Sequence, residues 1–237
     1  MADLSFRDDT WDRNIWKSVV DRDEYRLGAT CFDPRDVILD IGAHIGSFAY
    51  TCLDRGAGRV IAVEPDSENM VILQHNLHVA CGATDRAVLI SAAAWRSDQP
   101  AGVVSYSRVA VNTGGGNTLG ESGQPVASLP FDDLIQLAAA FSLDRVVRLV
   151  KLDCEGAEWP ILLTSNALQH VDAIIGEYHT IEDLQEFSSA RVDNRHRCDR
   201  SLLETILHRA GFDSRFGSEQ DGLGIFAAWR PGKEFAS

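Results

Sequence analysis

The run Asp40-Ile41-Gly42-Ala43-His44-Ile45-Gly46 is the strongest local signal for chemistry in this 237-residue sequence. Glycines let a chain turn sharply and bring backbone N–H groups close to a ligand. Their spacing here is GxxxG. Dinucleotide binders instead carry GxGxxG, which seats a pyrophosphate on a helix N-terminus. This loop opens with a carboxylate, which repels phosphate and attracts the ammonium of an amino-acid ligand. Glu64 follows about twenty residues later, where an acidic side chain can accept hydrogen bonds from both ribose hydroxyls. Each feature alone has a plainer reading: a strand-to-helix turn needs glycines anyway, and a carboxylate at a strand end is ordinary. Together they describe a nucleoside joined to an amino acid without phosphate, which is S-adenosylmethionine.

A second cluster, Lys151-Leu152-Asp153-Cys154-Glu155-Gly156-Ala157-Glu158, ends another apolar run. Ligands of α/β sheets bind at the carboxyl ends of strands, so Asp153 is expected in the crevice, touching cofactor or acceptor. Glu155 and Glu158 open a helix, where carboxylates also suit the positive end of the dipole. A third cluster, Glu177-Tyr178-His179, falls on the same rim. A histidine beside carboxylates can accept a proton from an attacking hydroxyl. The expected catalytic set is therefore Asp153, Glu177 and His179, with His179 as general base and Asp153 or Glu177 orienting it. No metal site is expected. Asp153 and Glu177 holding a divalent ion is the minor alternative.

These residues need a scaffold that brings strand ends together. VILDIG, RVIAVEP and AVLIS read as buried strands, with helices over Ser47–Arg55 and residues 66–80 between them. Strand-helix-strand alternation implies right-handed crossovers and a parallel sheet. A helix over Phe131–Phe141, strands VVRLVKLD and VDAIIGE, and a helix over 200–210 follow. FDSRF and GIFAAW read as a terminal antiparallel hairpin. Residues 98–124, with NTGGGNT, read as a long loop or weak hairpin of the kind that forms lids. Residues 1–36 are expected to form a helical extension packed on a domain spanning 37–237.

VILDIGAHIGSFA, VIAVEPD, VASLPFDDLI, VKLDCEGAE and IIGEYH stand in the order seen in the FkbM family of methyltransferases, which the chain resembles from about Val37 to His179. KLDCEGAE is the most distinctive block. The resemblance implies an α/β, Rossmann-like class I methyltransferase fold. Its sheet has seven mostly parallel strands with a C-terminal antiparallel hairpin, and helices on both faces. The resemblance also implies cofactor contacts from Asp40, Gly42, Ala43, His44 and Gly46, Glu64 on the ribose, and Ser91, Ala92 and Ala93 beside the adenine. The implied activity is O-methylation of sugars, polyketides or related natural products. Methylation of an amine or peptide nitrogen is the nearest rival. A nicotinamide oxidoreductase would need the GxGxxG that the chain lacks, and a binding module without catalysis would not need Asp153 and His179.

Composition narrows the partners. Hydrophobic residues make up 45% and charged residues 24%, as in a folded globular chain. A net charge of −13 disfavours nucleic acid and anionic lipid, whose binding rests on Lys and Arg. The expected partner is a small-molecule acceptor, with a homodimer left open. Five scattered cysteines without CxxC spacing, an acidic N-terminus without an apolar h-region and no membrane-length apolar run point to the cytoplasm. The segment 191–200, with Arg191, Arg195 and Arg197, reads either as a solvated loop or as a lid for an anionic acceptor. Trp159 and Phe187 read as core, with an acceptor pocket as the sharper option. His75 and His78 read as surface histidines.

Overall fold

The computed structural model describes residues 4–82, 85–192 and 195–234. Strands β1 (Val37–Ile41), β2 (Arg59–Val63) and β3 (Ala87–Ile90) alternate with helices α2 (Ser47–Asp54) and α3 (Ser67–Cys81), after a single earlier helix, α1 (Asp12–Val20). A small sheet is made by β4 (Ala93–Trp95), β5 (Gly102–Tyr106) and β6 (Gln124–Pro130), and α4 (Phe131–Ala140) follows it. Next come β7 (Leu149–Leu152), α5 (Glu158–Thr164), β8 (Ala173–His179), α6 (Arg200–Arg209), β9 (Asp213–Phe216) and β10 (Leu223–Trp229). The main sheet runs β3-β2-β1-β7-β8-β10-β9, with β10 antiparallel to both β8 and β9. This is the Rossmann-like class I methyltransferase fold that the resemblance implies. Among the described residues no helix is long and apolar enough to cross a membrane.

Both faces of the central strands are covered, which is why β1 and β2 are apolar apart from Asp40 and the opening Arg59. Leu39, Ile41, Ile61 and Val63 join one buried cluster with Phe131 and Trp159. Ile38, Val60 and Ala62 join the other with Phe48, Tyr25 and Leu27. The N-terminal segment is thus part of the second core: Trp16, Val19, Tyr25, Leu27 and Phe32 are all buried.

Chain order leaves β1 toward β2 and β3, then returns to its other side at β7. The crevice at such a switch point is where α/β sheets bind ligands. Two glycines allow the strands to close there. Gly42 has φ +74°, and a Cβ on it would sit 1.8 Å from the Asp153 carbonyl oxygen. A Cβ on Gly176 would sit 1.7 Å from the Leu152 carbonyl oxygen. Both the left-handed backbone and the backbone contact oppose a side chain at Gly42. Gly42→Ala is therefore expected to cost about 3 kcal/mol or more, read as a lowered denaturation midpoint. A midpoint unchanged by the substitution would mean that β1 and β7 do not meet this closely.

The segment 98–124 is more ordered than its composition suggests. Gly102–Tyr106 pairs antiparallel with β6, and Ser107 bridges Asn117. Of the loop and weak-hairpin readings, the hairpin is the one formed. The partner strand β6 was masked in the sequence by its Pro and Ser content, and β4 by its length of three residues.

Candidate active site

Strand register places the candidate residues in one row. Ile41 is opposite Val63 on one side and Leu152 on the other, and Leu152 is opposite Gly176. The next residue of each strand is therefore Glu64, Gly42, Asp153 or Glu177, in the spatial order β2-β1-β7-β8. At strand spacing the row is roughly 14 Å long. All four residues line a cleft of about 300 Å³, at the lower end of the range for small-molecule sites.

At the β2 end Glu64 is buried and organises the loop around it. Its Oε2 accepts from the His44 N–H at 2.8 Å, and its Oε1 from the Asp66 N–H at 2.9 Å and Asn69 Nδ2 at 3.1 Å. Oε2 keeps a lone pair for a ligand hydroxyl. Pro65, Ala93, Ala94 and Tyr106 supply apolar wall beside it. Tyr106 can pack there because Gly116 has no side chain: a Cβ would lie 2.1 Å from the phenol oxygen. This gives the Gly-rich loop a role as cleft wall.

A buried polar network ties that wall to α1 and the glycine loop. The Thr113 hydroxyl donates to Asp12 Oδ1 at 2.6 Å and lies 2.8 Å from His44 Nε2. Arg7 donates to both Asp12 oxygens, at 2.9 and 3.0 Å, and to Asn69 Oδ1 at 2.7 Å. The Trp11 N–H donates to the Val111 carbonyl at 3.0 Å. Burial opposes ionisation of Asp12, but hydrogen bonds from His44, Arg7 and Thr113 hold it well below the usual carboxylate range. The cleft is roofed by these two segments, with Trp11, Asn14, Ile15, Asn112 and Gly114 among its lining.

The β7–β8 end is acidic. Asp153 Oδ2 accepts from the Tyr25 hydroxyl at 2.7 Å and lies 3.4 Å from Lys151 Nζ. Burial works against its charge, but Lys151 and Tyr25 hold it below the ordinary value. Lys151 also donates to the Gly42 carbonyl at 2.6 Å and sits 3.5 Å from Asp40. Glu24, Glu155 and Glu177 line the same end. Burial first, and then the charges of Asp153 and Glu24, push the Glu177 carboxyl up to about 8.

The sequence profile of the FkbM methyltransferase domain matches residues 40–212. The chain belongs to the FkbM methyltransferase family. Its cofactor is S-adenosylmethionine, and the site fits that group: Glu64 retains a hydrogen-bonding position, His44 Nδ1 is buried without a partner beside the cleft, and Gly42 leaves the floor bare. No curated protein sequence matches the chain significantly. Among solved structures, the fold resembles precorrin-6y C5,15-methyltransferase from Geobacter metallireducens GS-15, at 12% identity and TM-score 0.49 over 96% of this chain and 94% of that one. Magnesium protoporphyrin IX methyltransferase from Synechocystis PCC 6803, solved with bound S-adenosylmethionine, is 12% identical at TM-score 0.47, covering 92% and 79%. A putative RNA methyltransferase from Pyrococcus horikoshii is 16% identical at TM-score 0.44, covering 92% and 83%.

Several family-implied contacts lie elsewhere than expected. Gly42, Ala43, His44, Glu64, Ala93 and Asp153 line the cleft, and Asp40, Gly46, Ser91 and Ala92 do not. Strand alternation turns Asp40 toward α2, where it is fully buried and lies by Lys151. Gly46 starts α2 at φ +93° and packs against Leu73 and Leu77. Ser91 is exposed at the edge of the sheet, and Ala92 is buried off the cleft. Trp159 is core, its indole N–H donating to the His179 carbonyl at 2.6 Å, and Phe187 packs against the same core. Arg191, Arg195 and Arg197 do not line the cleft; Arg197 pairs with Glu182 and Asp199, while Asp193 and Asn194 of that segment lie outside the described residues. Among the described residues no cluster of three or more His, Cys, Asp or Glu is placed to hold a metal.

His179, expected as the base, does not line the cleft. Its ring nitrogens lie 3.2 Å from Glu155 and 3.1 Å from Glu158, and Glu158 is fully buried. Burial opposes the charge, but the two carboxylates outweigh it and raise the imidazole to about 11. This favours the charged imidazole, paired with both carboxylates.

These shifts set the stability profile. His179 is raised above its ordinary 6.5, so its contribution is complete below that pH and is lost as pH climbs toward 11. Glu177 titrates at 4.5 when unfolded and about 8 when folded, so rising pH through that window also disfavours the fold. Asp12 is depressed and stabilises above about its ordinary 3.8, losing its effect in acid. Without cofactor, the melting temperature is expected to fall from pH 6 to pH 9, less steeply in His179→Gln. A melting temperature that rises over that interval would contradict the assignment of both groups.

Proposed function

We propose that the protein transfers a methyl group from S-adenosylmethionine to a hydroxyl of a small molecule with an apolar body, such as a sugar-bearing or polyketide natural product. The row Glu64–Gly42–Asp153–Glu177 carries this reading. Glu64 would hold the ribose of the cofactor, Pro65, Ala93 and Ala94 would face its adenine, and Asp153 would receive its amino-acid end across Gly42. Bound there, the cofactor supplies an electrophilic methyl group on a positively charged sulfur. Alignment of the acceptor at about 3–3.5 Å and exclusion of water are the main tasks left to the protein.

Glu177 accepts the hydroxyl proton as the acceptor oxygen attacks, and a neighbouring positive charge favours its ionised form. Lys151 and Tyr25 hold Asp153 beside it. Residues of α1 and of the segment 107–118 line one side of the cleft. Trp11 (51% exposed) and Leu223 (37% exposed) line the mouth, which supports an acceptor with an apolar surface. The net charge of −13 supports a small acceptor over nucleic acid. The acidic lining also suits a protonated amine, which is the second reading. Incubation with S-adenosylmethionine and matched hydroxyl, amine and peptide acceptors, followed by mass spectrometry, separates the two. Methyl addition to oxygen is expected; addition to nitrogen alone would overturn the hydroxyl assignment.

A further inference from the structure

Tyr25 lies outside the stretch matched by the family, 40–212, yet its hydroxyl reaches Asp153 across 128 positions of sequence. The reach is built. Asp23 accepts from the Leu27 N–H at 3.0 Å and the Gly28 N–H at 2.7 Å, closing the turn that carries Tyr25. Arg55, at the end of α2, donates to the Gly28 carbonyl at 2.8 Å and pairs with Asp23 at 3.5 Å. The Tyr25 ring is 5% exposed and stands edge-on to Phe48, at 5.4 Å and 79°. A phenol fixed at both ends in this way holds its hydrogen bond with little further entropy loss.

Both partners of Asp153 use the same oxygen. Tyr25 and Lys151 approach Oδ2, so Oδ1 is left to the cleft, with no partner among the described residues. Lys151 alone would hold Asp153 poorly, because its Nζ is shared with the Gly42 carbonyl at 2.6 Å and Asp40 at 3.5 Å. We propose that Tyr25 is a positioning residue of the reacting end, fixing the Asp153 carboxylate so that Oδ1 receives the ammonium of the cofactor's amino-acid end. The segment ahead of the matched domain is then part of the site. This rests on the cofactor orientation proposed above.

The probe is S-adenosylhomocysteine, titrated calorimetrically into the full chain from pH 5 to 8. Tyr25→Phe keeps the ring and its packing and removes one hydrogen bond to a charged group, so binding near pH 7 is expected to weaken about tenfold. The loss should widen as pH falls, since Asp153 without the phenol protonates more readily. The groups facing Asp153 are Lys151 and His179, which favour its charge, and Glu24, Glu177, Asp40 and Cys154, which oppose it. All of them remain in the variant, so the difference between the two pH profiles isolates the Tyr25 contribution. In an Asp153→Asn background the same change should have little further effect. A pH-independent loss, no loss, or an equal loss in that background would each overturn the role of Tyr25. Failure of the unaltered protein to bind the probe would overturn the cofactor orientation beneath it.

Discussion

Glu177→Gln is expected to lower kcat about 10²- to 10⁴-fold, the usual worth of a general base, while leaving S-adenosylmethionine affinity nearly unchanged. The carboxyl sits at the end of the Glu64–Gly42–Asp153–Glu177 row, in the cleft, with its proton held up to about pH 8 by burial and by Asp153 and Glu24. The unaltered enzyme should therefore show kcat/KM rising with pH toward 8, and the variant should lose that limb. His179 provides the contrast. It remains charged until about pH 11, so no limb near its ordinary 6.5 is expected. A variant with intact turnover, or a profile governed by a group near 6.5, would return the base to another residue.

The second large effect is at Glu64. Three donors converge on its carboxylate: the N–H groups of His44 and Asp66 and the side-chain amide of Asn69. Glutamine of the same shape offers one oxygen and one NH₂, so at least one of these buried donors meets another donor. Each such loss at a charged acceptor costs about 1.5–3 kcal/mol. The His44 loop and the ribose contact fail together, and S-adenosylmethionine affinity is expected to fall about 100-fold or more. Calorimetry reads the affinity and thermal unfolding reads the loop. Retained affinity would mean that the ribose lies elsewhere.

The parts of this site that were legible in the sequence are those carried by local pattern. Gly42, Glu64, Asp153 and Glu177 each follow a mainly apolar run, broken only by Asp40 before Gly42 and Lys151 before Asp153, and a parallel sheet covered on both faces demands such runs. Asp40 was misjudged because the motif gives its position in the strand, whereas its direction depends on which face the next helix covers. The pairing of His179 was not legible because Glu158, a helix-start residue in sequence, folds back to within 3.1 Å of its ring. Tyr25, Asp12 and Thr113 carried no signal at all. They act through contacts across 69 to 128 positions of sequence, which no periodicity encodes. The weak hairpin at 102–130 was half legible for the opposite reason, since its turn chemistry is plain but its strand β6 carries prolines.

The most direct test of the account is calorimetric titration of the purified full chain with S-adenosylmethionine, S-adenosylhomocysteine and NAD in parallel. Micromolar binding of the first two, with no heat from NAD, is the expected result, because the carboxylates of Glu64 and Asp153 line the cleft, where they suit a ribose and an ammonium and repel a pyrophosphate. Binding of NAD alone, or of none of the three by a folded sample, would contradict it.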